Sequence, residues 1–300
     1  MQINIIRSDK VYQELLELPL EKREGCFRAK ILAPFATKYQ TQHIPLKAKY
    51  PGGFDALFLL GFMNQLPSTL SEKDRPAIDA LSSDQLWQNC QDTIKRSIGL
   101  FEQAGYDLEV EDYHFTILLG NPEKAMLQLN KGYSGDGGIP GYLMLSLLPN
   151  DYTLPRVQAA LAHECNHNVR FQFIKWNQQT TLADWVVSEG LAESFAAELY
   201  GKDLIGSWVT STSPEQLEEI KPIISSQLQL TGMAEMAPYL YGDEIAKIQG
   251  QIPVGMPYAA GYAYGYHLIQ AYLKKTGKSI IEATVTSTEE ILEATKDFWK

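Results

Sequence analysis

The 300-residue sequence predicts an α+β fold in which helices dominate. Two short runs, residues 113–119 (YHFTILL) and 141–148 (GYLMLSLL), are aromatic, β-branched or continuously apolar. They close on Gly-Asn-Pro and Pro-Asn-Asp, and so read as strands. Almost everywhere else the apolar residues recur at three- and four-residue spacing, the period of a helix with one buried face. With 45% hydrophobic residues, the chain can bury a substantial core without crosslinks.

Taken in order, residues 11–18 place Val11, Leu15, Leu16 and Leu18 on a helical period, and residues 26–39 repeat it with Phe27, Ile31, Leu32 and Phe35. A third helix starts after Ser82 or Ser83, both suitable N-caps. It runs through Leu86, Trp87, Ile94, Ile98 and Phe101 to a stop at Gly105. Between the two strands, the glycine-rich stretch 132–138 (GYSGDGG) reads as a turn; it lacks the GxxxxGK[ST] form of a phosphate loop. A helix resumes near Thr153, with Pro155 in its first turn, and continues through Val157, Leu161, Val169 and Phe171. Another covers about 184–200 and stops at Gly201. After breaks at 207–214 and 251–257, a helix over 258–275 ends at Gly277, and the last opens on Ser287-Thr288-Glu289-Glu290, a capping-box pattern. The expected organisation is a helical N-terminal region, 1–108, and a second region, 109–300. The second carries the strands, helices at about 154–172 and 184–200, and a helical C-terminal lobe; together they are expected to form one compact unit.

Composition excludes some partners. Asp plus Glu outnumber Lys plus Arg by 36 to 26, for a net charge of −10. That argues against nucleic acid, which needs a basic face, and against an anionic membrane surface. No run of about 18 apolar residues could span a bilayer. The N-terminal stretch lacks the pattern of a signal peptide, and Cys26, Cys90 and Cys165 form no CxxC pair. The expectation is a cytoplasmic protein with reduced thiols and no membrane partner.

The residues that carry chemistry are His163-Glu164-Cys165-Asn166-His167, an HExxH motif. With 5 histidines in the chain, a chance occurrence falls below about 1 in 100. On a helix, His163 and His167 share one face and can bind a single zinc ion; Glu164, beside the first, is placed to take a proton from the water such an ion activates. A hydrolytic zinc site needs a third protein ligand. Glu189, in Ser188-Glu189-Gly190-Leu191-Ala192-Glu193, lies far enough downstream for a second helix to return antiparallel, and small Gly190 and Ala192 would let two helices approach closely at the metal. Glu193, one turn on, could hold the outer ring nitrogen of a ligand histidine, although Asp184, Glu198 and Asp203 compete for these roles. Cys165 points to another face and reads as core.

HExxH followed by an E-G-x-A-E helix resembles the gluzincin clan of metallopeptidases, and within it a bacterial family of predicted zinc-dependent proteases. The resemblance covers about residues 132–298, including YSGDGGIPGYLMLSLLP, SEGLAE and GYAYGYHLIQAYLKKTGKS. It implies a zincin-like fold with a small sheet on the HExxH helix, one Zn²⁺ per chain held by His163, His167 and Glu189, Glu164 as general base, and a peptide or protein substrate. Aminopeptidases of the clan carry an oxyanion-binding tyrosine in a Y-x-x-G pattern with a later glycine. Tyr262 with Gly265 and Gly277 fits; Tyr258, Tyr264 and His267 are the alternatives, and each aromatic could instead simply pack. The G-x-M-E-N segment of those aminopeptidases is absent. In zincins an extended peptide pairs with an edge strand, for which Gly141, Tyr142, Leu143, Met144 and Leu145 are the candidates. His114 reads as structural. Two other functions fit the same residues: an inactive metal-stabilised protein that binds peptides or a partner, and a zinc hydrolase of a non-peptide substrate.

Overall fold

The computed structural model describes residues 1–299. The fold is α+β and mostly helical, with one four-stranded sheet in the order β1-β2-β4-β3. The strands are β1 (Gln2–Ile5), β2 (Asp112–Leu119), β3 (Tyr133–Asp136) and β4 (Tyr142–Leu147). The helices needed below are α1 (Ser8–Glu17), α2 (Ala56–Leu60), α3 (Asp84–Gln103), α4 (Val157–Phe173), α5 (Leu182–Tyr200), α6 (Pro214–Ser225) and α7 (Ala260–Thr276). The chain divides into two compact units. One comprises Met1–Ser97 and Leu108–Glu164; the other comprises Ile98–Asp107 and everything from Cys165. The division falls inside α4, so this helix belongs to both.

The first unit contains the whole sheet. β1 runs parallel to β2, with Ile3 opposite Tyr113. β2 runs parallel to β4, with Phe115 opposite Leu143, and β3 closes the other side antiparallel, with Gly135 opposite Leu145. Ile117, Leu118 and Leu119 are buried in succession, as are Leu143, Met144 and Leu145, so both faces of these strands are covered. That is why they read as apolar runs rather than alternating ones. The two expected strands are present within a residue of their predicted bounds. The two outer strands were not foreseen: β1 is four residues long, and the stretch 132–138, expected to be a turn, contains β3.

The second unit is built around α5. Its first turn is closed by a capping box: Thr181 Oγ1 accepts from the Asp184 N–H, and the Asp184 carboxylate accepts from the Thr181 N–H. Asp184 is therefore a capping residue rather than a competing ligand. Beyond the cap every residue from Trp185 to Ala197 is buried, as expected of a helix at the centre of its unit. Its closest neighbour is α7. A Cβ on Gly190 would collide with the Gly265 carbonyl, and one on Gly265 would collide with the Val186 carbonyl. Gly190 does permit a close helix approach, as its size suggested, but the partner is α7. Gly265, the glycine of the Y-x-x-G pattern, is thus required for packing. Gly277 adopts φ 70° and terminates α7 as a left-handed cap.

Candidate metal centre

His163 and His167 project from α4 one turn apart, and Glu189 comes from the middle of α5. One ligand atom from each lies within 4.8 Å of the others, and all three side chains are buried. Glu189 Oε2 is 3.3 Å from His167 Nε2. Two ligands each about 2.1 Å from one tetrahedral ion would stand about 3.4 Å apart, so this spacing suits a shared ion. Two imidazoles and a carboxylate are also one of the ligand sets of catalytic zinc sites, and the two histidines stand here in the HExxH spacing. The residues present fit a zinc ion.

Neighbouring groups orient these side chains. The indole N–H of Trp185, one turn before Glu189, donates to Glu189 Oε1 at 3.2 Å, which leaves Oε2 facing His167. The His167 ring stacks on Phe171, with centroids 5.7 Å apart and planes 5° from parallel. From Phe171 a chain of edge-to-face contacts runs through Trp176 and Trp185 to Tyr241. Tyr241 then packs on Tyr262 and Tyr262 on Trp208. The Trp208 indole donates to Glu193 Oε2 at 2.8 Å, and the Gly206 N–H donates to Glu193 Oε1 at 2.6 Å. Both carboxylate oxygens of Glu193 thus hold the segment that follows α5. Glu198 and Asp203, the other competing acids, are exposed.

Glu164 is buried, and its surroundings explain the glycine-rich stretch. A Cβ on Gly135 would run into the Glu164 carboxyl group, and a Cβ on Gly137 would run into the Glu164 main-chain carbonyl. β3 can lie this close to α4 only because these positions lack side chains. Its last residue, Asp136, is anchored by the buried ammonium of Lys38 at 2.7 Å.

One expectation is corrected here. Residues 141–145 do not form an edge strand. Met144 and Leu145 pair with Thr116 and Ile117 on one side and with Asp136 and Gly135 on the other. The Gly141 carbonyl accepts from the His114 N–H, and the Tyr142 N–H is satisfied by the Ile139 carbonyl. From Met144 onward β4 is therefore paired on both sides and is not an edge, while Tyr142 and Leu143 pair with His114 and Phe115 of β2. The edge on this side of the sheet is β3.

The remaining predicted residues lie as follows. Tyr262 is partly exposed within the aromatic chain, and Tyr258 is partly exposed just ahead of α7. Tyr264 is fully buried, with its hydroxyl 3.2 Å from Ser225 Oγ at the end of α6; burial pushes its pKa up to about 12. His267 is exposed on α7. His114 stacks on Tyr142, with ring centroids 5.3 Å apart. Cys165 is buried, as expected.

Two contributors were not anticipated. Trp185 was legible in principle, since it stands four residues before Glu189 on the same helical face. Arg170, one turn beyond His167, is fully buried. Its guanidinium donates to Ser188 Oγ, to the carbonyls of Thr284 and Thr286, and to Thr288 Oγ1. No local sequence pattern announces those partners, which lie more than a hundred residues away except for Ser188.

The family model described as "Predicted Zn-dependent protease (DUF2268)" matches residues 86–293, beginning in α3 and so well before the stretch that carried the sequence resemblance. The uncharacterized protein YjfC of Bacillus subtilis (strain 168) is 34% identical over 293 residues, covering 97% of both chains. The uncharacterized protein YjaZ of the same organism is 26% identical over 155 residues, covering 50% of this chain and 55% of its own. No solved structure matches. By its family match and its full-length similarity to YjfC, the chain belongs to the DUF2268 family of predicted Zn-dependent proteases.

Proposed function

We propose that this protein is a zinc metallopeptidase of the gluzincin type, with a zincin-like site that hydrolyses peptide bonds. The observation that carries the reading is the buried group of His163, His167 and Glu189 with Glu164 beside it on the same helix. Two neutral imidazoles and a carboxylate would hold one Zn²⁺, which when bound polarises a peptide carbonyl and lowers the pKa of a water toward about 7.

The chain's own residues supply the rest. Trp185 holds Glu189 in one orientation by bonding the oxygen that does not face His167. Glu164 takes the proton from the attacking water and delivers it to the departing amine. Its burial against Gly135 limits the orientations it can adopt, which favours a fixed geometry for that transfer. An extended substrate runs alongside β3, the outermost strand on this side of the sheet, so that main-chain contacts position it with little demand on side-chain identity. Tyr262 is the oxyanion donor in this reading: it is partly exposed, whereas the Tyr264 hydroxyl is buried against Ser225.

The test pairs metal content with turnover of a mixed peptide library for the wild type, His163→Ala and Glu164→Gln. About one zinc per chain, lost in His163→Ala, and retained zinc without turnover in Glu164→Gln are the expected results. A wild type that binds zinc but cleaves no peptide would leave a metal-stabilised binding protein. Normal turnover in Glu164→Gln would remove the assigned base.

A further inference from the structure

The net charge of −10 is unevenly distributed. Residues 25–71 contain Arg28, Lys30, Lys38, Lys47 and Lys49 but a single acid, Asp55. Asp55 is buried and already engaged: it accepts from the Arg28 guanidinium, from the Ala48 N–H and from the Phe58 N–H as the N-cap of α2. Of the cations, Arg28 is paired with Glu24 as well as Asp55, Lys30 with Glu14, and Lys38 with Asp136. Lys47 and Lys49 are exposed and make no ion pair among the described residues.

Beside these lysines lies the largest group of exposed aromatic rings among the described residues. Tyr50, Phe54, Phe58 and Phe62 are 71%, 54%, 48% and 51% exposed. The last three are spaced four residues apart along α2 and its flanks. Their rings touch in series, Phe54 to Phe58 at 5.9 Å and Phe58 to Phe62 at 5.5 Å. The stripe is held rigidly. Asp55 ties its start to Ala48 and Arg28, the Ala56 N–H bonds the Pro45 carbonyl, and the Asn121 N–H bonds the Met63 carbonyl at the far end. These rings are displayed by a built scaffold.

We propose that this face docks the protein peripherally on an anionic lipid surface, with Phe54, Phe58 and Phe62 entering the interfacial region and Lys47 and Lys49 contacting the headgroups. Exposed aromatic rings on a short helix, beside two lysines that pair with no acid among the described residues, are the combination an interfacial anchor uses: rings for the interfacial region and cations for the headgroups. From Phe54 to Phe62 the stripe is only about 12 Å long at helical rise, short for a stable protein interface of about 800 Å² per partner. Among the described residues no helix is long and apolar enough to cross a membrane, and the proposed contact is with one leaflet. The whole-chain charge that argued against such a surface averages over acids that lie elsewhere in the sequence.

The test is co-sedimentation of the full-length protein with phosphatidylcholine vesicles, with and without half phosphatidylglycerol. Expected is binding to the anionic vesicles that weakens with salt and is at least about fivefold weaker on phosphatidylcholine alone. Phe58→Ser with Phe62→Ser should reduce it at least about tenfold, and Lys47→Glu with Lys49→Glu should reduce it comparably. All four side chains are exposed, and circular dichroism checks that both variants fold. No binding, equal binding to both vesicle types, or binding unaffected by the phenylalanine pair overturns the proposal. A self-association seen by sedimentation velocity and abolished by the same pair, without vesicle binding, also overturns it and assigns the face to a second copy of the chain. None of these readouts depends on zinc or on peptide cleavage.

Discussion

The indole N–H of Trp185 donates to Glu189 Oε1 at 3.2 Å, while Oε2 of the same carboxylate lies 3.3 Å from His167 Nε2. One carboxylate is thereby divided between an orienting donor and the metal side. Trp185→Phe keeps an aromatic ring between Trp176 and Tyr241 while removing the N–H donor together with part of the indole. Zinc affinity, measured by chelator competition, should fall by about 10- to 100-fold with secondary structure unchanged. Unaltered affinity would mean that the indole serves packing alone.

Gly135 and Gly137 make a contrasting pair. An alanine at 135 meets the end of the Glu164 side chain, which must rotate; an alanine at 137 meets the helix backbone, which cannot readily move. Gly135→Ala should therefore fold and retain zinc but lose peptide turnover by about 100-fold or more. Gly137→Ala should instead lower stability by about 1–3 kcal/mol, read as a shift in urea midpoint. If Gly135→Ala turned over normally, the carboxyl position opposite β3 would not matter to the reaction.

Arg170 is fully buried and makes no ion pair among the described residues; burial pushes its pKa down to about 10, against the opposing pull of the Asp184 and Glu289 carboxylates. Its stabilising role lies in the hydrogen bonds it donates. Arg170→Met would remove the donor to the Thr284 and Thr286 carbonyls and the Thr288 hydroxyl, while the Ser188 hydroxyl would keep only its bond to the Asp184 carbonyl. The expected loss is about 3 kcal/mol or more by chemical denaturation. Lysine should not rescue it, because an ammonium lacks the planar fork that reaches these acceptors. A loss below about 0.5 kcal/mol would show that solvent or repacking replaces those bonds.

Tyr264 predicts an alkaline response. An unfolded tyrosine ionises near pH 10, whereas burial raises the folded value to about 12. The folded state therefore holds this proton more tightly. The stability it contributes is complete below pH 10 and is lost as pH climbs from 10 toward 12. Tyr264→Phe cannot ionise, so its denaturation midpoint should fall less steeply with pH across that window than the wild type's. Parallel slopes would assign the alkaline loss to other groups.

The sequence by itself determined the chemistry of the candidate centre and most of the helices. HExxH is legible because both its spacing and its function are local: one helical turn brings two imidazoles to one face. The helices of Arg170 and Glu189 were legible from their period, and the strands 113–119 and 141–148 from their composition. Three features depended on the tertiary structure. β1 and β3 are strands because β2 and β4 lie beside them; Gln2–Ile5 finds its partner more than a hundred residues away, and Tyr133–Asp136 carries turn-like residues. This pairing also makes β3 rather than β4 the outermost strand on that side, since a strand's neighbours are not encoded in its own side chains. The tight crossing at Gly190 likewise belongs to α7, because a glycine announces a close approach without naming what approaches. Chemistry set by a few neighbouring residues can be read along the chain, whereas pairing and packing follow from contacts between distant segments.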